Sequence, residues 1–176
     1  MSLLQVRDSK DDDLSAIAEI YGREVLHGLA TFEEEPPSAG EIGSRRSGIL
    51  EAGLPYLVAD AGSSVAGFAY ANMFRPRPAY RNSVENSVYV DPGWRGQGVG
   101  RALLSALIER CEAGPWRQMI AVIGDSENAG SIGLHTSLGF RQVGVIQSVG
   151  FKLGRWVDTV MMQRALGQGD KTPPTG

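Results

Sequence analysis

The chain has 176 residues, 42% hydrophobic and 21% charged, with a formal net charge of −3. A chain of this length suits one domain and buries about 70% of its unfolded surface, so a core forms without disulfide or metal staples. The charge excludes a global basic field for nucleic acid or anionic lipid, and the lone Cys111 excludes an intrachain disulfide framework or a Cys-based zinc site.

The opening residues have no basic segment followed by a long apolar one, which predicts a protein without a secretory signal, working in the cytoplasm. No apolar run approaches the ~18 residues of a membrane span. Leu3 to Arg7 reads as a first strand. Asp11, Asp12 and Asp13 place acids at a helix N-terminus, and Leu14, Ile17, Ala18, Tyr21 and Val25 follow at helical spacing to about Leu26. Ser38 caps a second helix through about Glu51, ended by Gly53. Strands are expected over Pro55 to Ala61 and Val65 to Phe74. Two prolines exclude regular structure from the basic loop Arg75 to Arg81. Ser83 to Val90 is a strand, stopped by Asp91-Pro92-Gly93. A glycine-rich turn leads into a helix whose apolar stripe is Leu103, Leu104, Leu107, Ile108 and Cys111. Arg117 to Ile123 is a strand buried on both faces. Asn128 to Leu138 is a short helix stopped by Gly139, and two strands, Gln142 to Gly150 and Trp156 to Arg164, complete the fold. The class is α/β, a mixed sheet flanked by about four helices, with one domain over 1–166 and a disordered polar tail over 167–176.

The most informative stretch is Arg95-Gly-Gln-Gly-Val-Gly100, between a strand and a helix. Small residues let successive N–H groups converge on an anion at a helix N-terminus, and a diphosphate is the natural guest. No Lys-Ser or Lys-Thr follows, so this is not a P-loop. The dinucleotide fingerprint fails as well, because Leu103 or Arg101 stands where its third glycine belongs.

With Arg95, Gly98 and Gly100, this turn resembles the acetyl-CoA loop of the GNAT superfamily of N-acetyltransferases. A second matching element runs from Asn128 through Ser131, Leu134 and His135 to Gly139-Phe140. Within the superfamily, the chain is similar to the phosphinothricin and methionine sulfoximine acetyltransferase group. The matching strings are Arg77 to Arg81, Val84 to Val90, Ala121 to Gly124, and Val149 to Trp156 followed by Asp158. The resemblance implies a mostly antiparallel sheet, acetyl-CoA as co-substrate, a small amine as acceptor and a homodimer. It further implies that Val88, Tyr89 and Val90 pair by their backbone with the pantetheine arm, while Arg95, Gly96, Gln97, Gly98, Val99, Gly100 and Arg101 hold its phosphates. Asn128 and Ser131 match positions near the cofactor, although N-cap duty alone also explains Asn128.

Amine acetylation by a thioester needs a neutral amine, a stabilised oxyanion and a protonated thiolate at the end. Alternation places Glu85, Ser87 and Tyr89 on one face of their strand, opposite Val84, Asn86, Val88 and Val90. A carboxylate facing a cleft can take the ammonium proton, and the resemblance gives Glu85 this role; the alternative is a solvated strand carboxylate. His135 can serve as acid or base near neutrality, or as a structural group at a helix end. His27 is read as structural or surface, and Cys111 as core. Arg75 and Arg77 suit a carboxylate or phosphinate. The acceptor site is expected to combine them with Phe32, Glu85, Asn86 and Ser87, and no cluster has metal-ligand spacing. Lys152, Arg155, Trp156 and Asp158 shape either a pocket or a dimer contact. The resulting expectation is direct transfer of acetyl to the α-amine of an amino acid-like substrate. An acetyltransferase for protein N-termini or other amines, and a non-catalytic acyl-CoA-binding module, stand as alternatives.

Overall fold

A computed structural model describes residues 4–174. Within them run β1 (Gln5–Asp8), α1 (Leu14–His27), α2 (Ala39–Glu51), β2 (Tyr56–Asp60), β3 (Val65–Met73) and β4 (Ser83–Val90). They are followed by α3 (Val99–Glu112), β5 (Gln118–Gly124), α4 (Ala129–Ser137), β6 (Arg141–Lys152) and β7 (Arg155–Ala165). The strands form one sheet in the order β1-β2-β3-β4-β5-β7-β6. Only the β4–β5 pair is parallel, because α3 carries the chain back across the sheet between them.

Local chemistry accounts for the helices. Ile17, Ile20, Tyr21 and Val25 form the buried stripe of α1. Ser38 Oγ accepts the Glu41 N–H at 3.2 Å and starts α2. Asn128 Oδ1 accepts the Ser131 N–H at 3.1 Å and starts α4. The predicted stripe of α3 is buried whole, and burial pushes the Cys111 thiol up to about 12. α1 and α2 cover the sheet face that carries Phe68, Tyr70 and Tyr89, while α3 packs Leu103 onto the other face beside Gly67.

Two expectations need revision. Leu3 lies outside the described residues, and β1 runs one residue further, to Asp8. The 75–81 loop contains one 3-10 turn, Pro78–Tyr80, because proline at its first position needs no N–H partner there. Among the described residues, the polar tail forms turns, and the Arg117 guanidinium donates to Thr172 O at 3.0 Å and Pro173 O at 2.8 Å. A cation aimed at carbonyls thus holds residues 172 and 173.

The feature that positions the site is a parting of two strands. β4 pairs with β5 from Ser83↔Gln118 to Asn86↔Ala121 and no further, although both strands continue. Beyond Asn86, β4 keeps only its β3 partner, so one edge of Ser87 to Val90 is open.

Leu104 is fully buried in the α3 stripe and Val143 is exposed on β6. Leu104→Ala should therefore cost about 2–5 kcal/mol in urea unfolding, whereas Val143→Ala should stay within about 0.5 kcal/mol of the unaltered protein.

Candidate active site

The open edge of β4 is one wall of a groove of about 900 Å³. Val88, Tyr89 and Val90 meet the end of α1, the glycine turn and the start of α4 around it. In the turn, Gly96 has φ 73° and Gly98 φ 82°, the left-handed region that side-chain-bearing residues avoid. A Cβ would meet nothing within 4 Å at either position, so conformation rather than crowding demands glycine. The turn leaves the first amides of α3 at the groove wall, where orphan donors and the helix dipole favour an anion. Arg95, Gly96, Gly98, Val99, Gly100, Arg101, Asn128 and Ser131 all line the groove. Gln97 does not: its side-chain amide donates to Gly93 O at 3.0 Å. His27, expected as structural or surface, also lines the groove.

Glu85 stands on the sheet face covered by α1 and α2, opposite Asn72 of β3. It is half-buried, and desolvation raises its carboxyl above the ordinary value while the nearby Arg75 charge opposes the shift. Arg75 and Arg77 are exposed, with the Arg75 guanidinium over the Phe74 ring at 4.4 Å. Ser87 is opposite Tyr70, on the same face as Glu85. Phe32 is 41% exposed and its ring lies against Gly150.

The structure places two of the candidate site residues away from the groove. The Asn86 side chain does not join Glu85 and Ser87 at an acceptor site, since the pleat turns it to the other face. There its Nδ2 donates to Ile120 O of β5 at 3.3 Å, bridging the strands where they part. His135 is 4% exposed rather than open to the groove. Its Nδ1–H donates to Ser131 O at 2.8 Å and its Nε2 is 3.0 Å from Asn86 Oδ1. Burial lowers its pKa below the ordinary value, with the Ser131 carbonyl opposing.

The segment 28–32, between α1 and α2, borders the groove. Gly28 and Ala30 line the groove. Leu29 O lies so close to Gly124 that a Cβ there would come within 2.0 Å of it. The buried Lys152 on β6 donates to Thr31 O at 2.6 Å and to Glu24 O at 3.5 Å. Burial lowers its pKa, against the attraction of Glu24, Glu34 and Glu33. Glu24 Oε1 accepts the Ala30 N–H at 3.1 Å, while Oε2 is 3.5 Å from Arg95 of the glycine turn. Sequence reasoning missed Glu24, although its position one turn after Ile20 and one before Gly28 puts it on the groove side of α1. Arg155 makes long, exposed ion pairs with Asp125 and Glu127, and Trp156 is exposed with its ring against Phe151. Asp158 accepts from the Ser148 N–H and the Ser126 hydroxyl, each at 2.8 Å, which hold its carboxyl below the ordinary value.

The model of the Acetyltransferase (GNAT) family matches residues 15–140. The phosphinothricin N-acetyltransferase of Alcaligenes faecalis is 57% identical over 169 residues, 96% of this chain and 86% of that protein. The L-methionine sulfoximine/L-methionine sulfone acetyltransferase of Pseudomonas aeruginosa is 42% identical over 159 residues, 90% of this chain and 92% of that protein. The crystal structure of a phosphinothricin acetyltransferase from Sinorhizobium meliloti, in complex with AcCoA, superposes with a TM-score of 0.94. It is 50% identical, covering 99% of this chain and 94% of that one. The forked sheet, the glycine turn and these likenesses agree: the chain belongs to the GNAT family and is an acetyl-CoA-dependent acetyltransferase.

Proposed function

We propose that the protein acetylates the α-amine of small amino acid-like substrates of the phosphinothricin, methionine sulfoximine or methionine sulfone type, by direct attack. The observation that carries this reading is the desolvated Glu85, one residue before β4 leaves β5. A carboxyl with a raised pKa is a better proton acceptor, suited to stripping a proton from an ammonium near neutrality. Acetyl-CoA supplies the activated acyl group. The Val88–Val90 edge offers unpaired backbone groups to its pantetheine arm, and a backbone N–H near Val90 can stabilise the oxyanion. The glycine turn, with Arg95, Arg101, Asn128 and Ser131 beside it, holds the phosphate end. Arg75 and Arg77 engage the acceptor's carboxylate at the rim, with Phe32 as part of the enclosure. Glu85 takes the ammonium proton, nitrogen attacks the acyl carbon, the C–S bond breaks, and the departing sulfur is protonated. His135, buried with its Nδ1–H on Ser131 O, serves as a positioning group that stands against Asn86 at the parting of the strands.

The cellular supply of acetyl-CoA supports a cytoplasmic site of action. A homodimer is supported by edge strand β6, where Val145, Val149, Phe151 and nearby Trp156 are exposed apolar groups.

Thiol release from acetyl-CoA should accompany methionine sulfone, methionine sulfoximine or phosphinothricin but not a polyamine. Glu85→Gln should lower kcat by roughly 10²–10⁴ while leaving acetyl-CoA affinity unchanged; unaltered turnover would remove Glu85 from the mechanism. Glu85 acts ionised, so kcat/KM should fall as pH drops through a pKa above the ordinary 4.5, and this limb should vanish in Glu85→Gln. Light scattering should give twice the 18.9 kDa chain mass, and Val149→Lys should shift it toward the single-chain value.

A further inference from the structure

A second cavity, of about 410 Å³, opens beneath α2 on the same sheet face as Glu85. Its floor is a ladder of rings. Tyr56 and Tyr70 stack with centroids 5.0 Å apart, and Tyr56 and Phe68 with centroids 6.1 Å apart. Ile42 and Ile49 of α2 add an apolar roof. The cavity lies beside the proposed base, because Asn72, which lines it, is paired across the strands with Glu85, and Tyr70 with Ser87. Directly opposed residues of an antiparallel pair place their Cβ atoms about 4.5–5.5 Å apart.

The polar content of this cavity is specific. Tyr56 is 3% exposed as a residue, and its hydroxyl, which is not sealed from solvent, faces the cavity that the residue lines. A hydroxyl that faces a cavity is free to donate to a molecule held there. Tyr70 presents a second phenol to the same cavity. Burial raises both phenols, so at neutral pH each keeps its proton and can donate. The cation at the mouth, Arg45, is already committed. It donates to Glu33 Oε1 at 2.6 Å and Oε2 at 3.1 Å, and also pairs with Glu41. Glu33 in turn accepts the Tyr21 O–H at 2.8 Å. The cavity therefore offers apolar walls for an aliphatic stem and neutral O–H donors for its end.

We propose that this cavity is the acceptor side-chain subsite, in which Tyr56 and Tyr70 donate hydrogen bonds to the terminal tetrahedral oxo group of the substrate. The proposal rests on the acetyl-transfer reading above and deepens it. With the α-amine at Glu85 and the carboxylate at the arginine rim, the side chain runs inward along the ring ladder. A thioether end would leave the phenols unpaired, whereas sulfone, sulfoximine or phosphinate oxygens accept from them. The group read is the oxo oxygen, and its charge is secondary because Arg45 is neutralised by Glu33 and Glu41.

The test is a comparison of kcat/KM by thiol release for methionine, methionine sulfone and phosphinothricin in the unaltered protein, Tyr56→Phe and Tyr70→Phe. Each substitution keeps the ring and removes one donor. Each should lower kcat/KM for the sulfone and for phosphinothricin by roughly 2- to 12-fold and leave methionine unchanged. Equal losses for all three substrates, no loss at all, or a loss confined to phosphinothricin would overturn the subsite. Calorimetric binding of methionine sulfone and methionine to the acetyl-CoA-free protein separates the two readings. A sulfone preference that Tyr56→Phe abolishes upholds the subsite even if no thiol is released, while the absence of any sulfone preference in binding overturns it.

Discussion

Strands that run side by side must satisfy their backbone groups, and a sheet that parts midway leaves donors and acceptors without partners. β4 and β5 do part, after Asn86 and Ala121, and the site is arranged around the unpaired edge that results. The parting point is itself bridged. The Asn86 amide donates to Ile120 O across the divide, and His135 of α4 stands against Asn86 from beneath. The strands separate at a fixed residue because a buried polar pair closes the sheet there. The unpaired edge is what an extended pantetheine arm can add to as one more strand.

The two faces of β4 divide the labour. Asn86 looks toward α4 and holds the parting in place, while Glu85 looks toward α1 and α2, where burial makes it a stronger base. One residue of register separates architecture from chemistry. The acidic neighbourhood has its own order: Glu33 is tied to Arg45 and Tyr21, and Glu24 to Ala30 and Arg95. The carboxylates around the cleft are thus held by named partners, and Glu85 faces Arg75 at longer range.

Much of this was legible locally. The bounds of β4, the cap at Asn128, the stripe of α3 and the two-sided burial of β5 follow from periodicity, capping and turn chemistry. The glycine turn announced an anion site because its positive-φ residues sit between a strand and a helix. What escaped was non-local. Alternation alone turns the Asn86 side chain away from Glu85 and Ser87, but the Ile120 and His135 partners it meets there come from distant segments. Lys152 gave no sign of reaching Thr31, because the strand order that brings β6 there is not encoded in any short window. The rings of Tyr56, Phe68 and Tyr70 alternate legibly along their strands, but only the β2–β3 register stacks them into one floor.

The Lys152 contact has a consequence for how the protein comes into being. The ammonium and the Thr31 carbonyl it holds are separated by 121 residues. Because chains emerge N-terminus first and long-range closures form late, the segment at residues 28–32 leaves the ribosome long before its anchor exists. The Lys152 contact that holds it forms only when β6 arrives beside the rest of the sheet. A nascent chain can therefore own the glycine turn and Glu85 while the groove segment beside them still lacks its Lys152 anchor, so that part of the groove wall is among the last contacts the polypeptide completes.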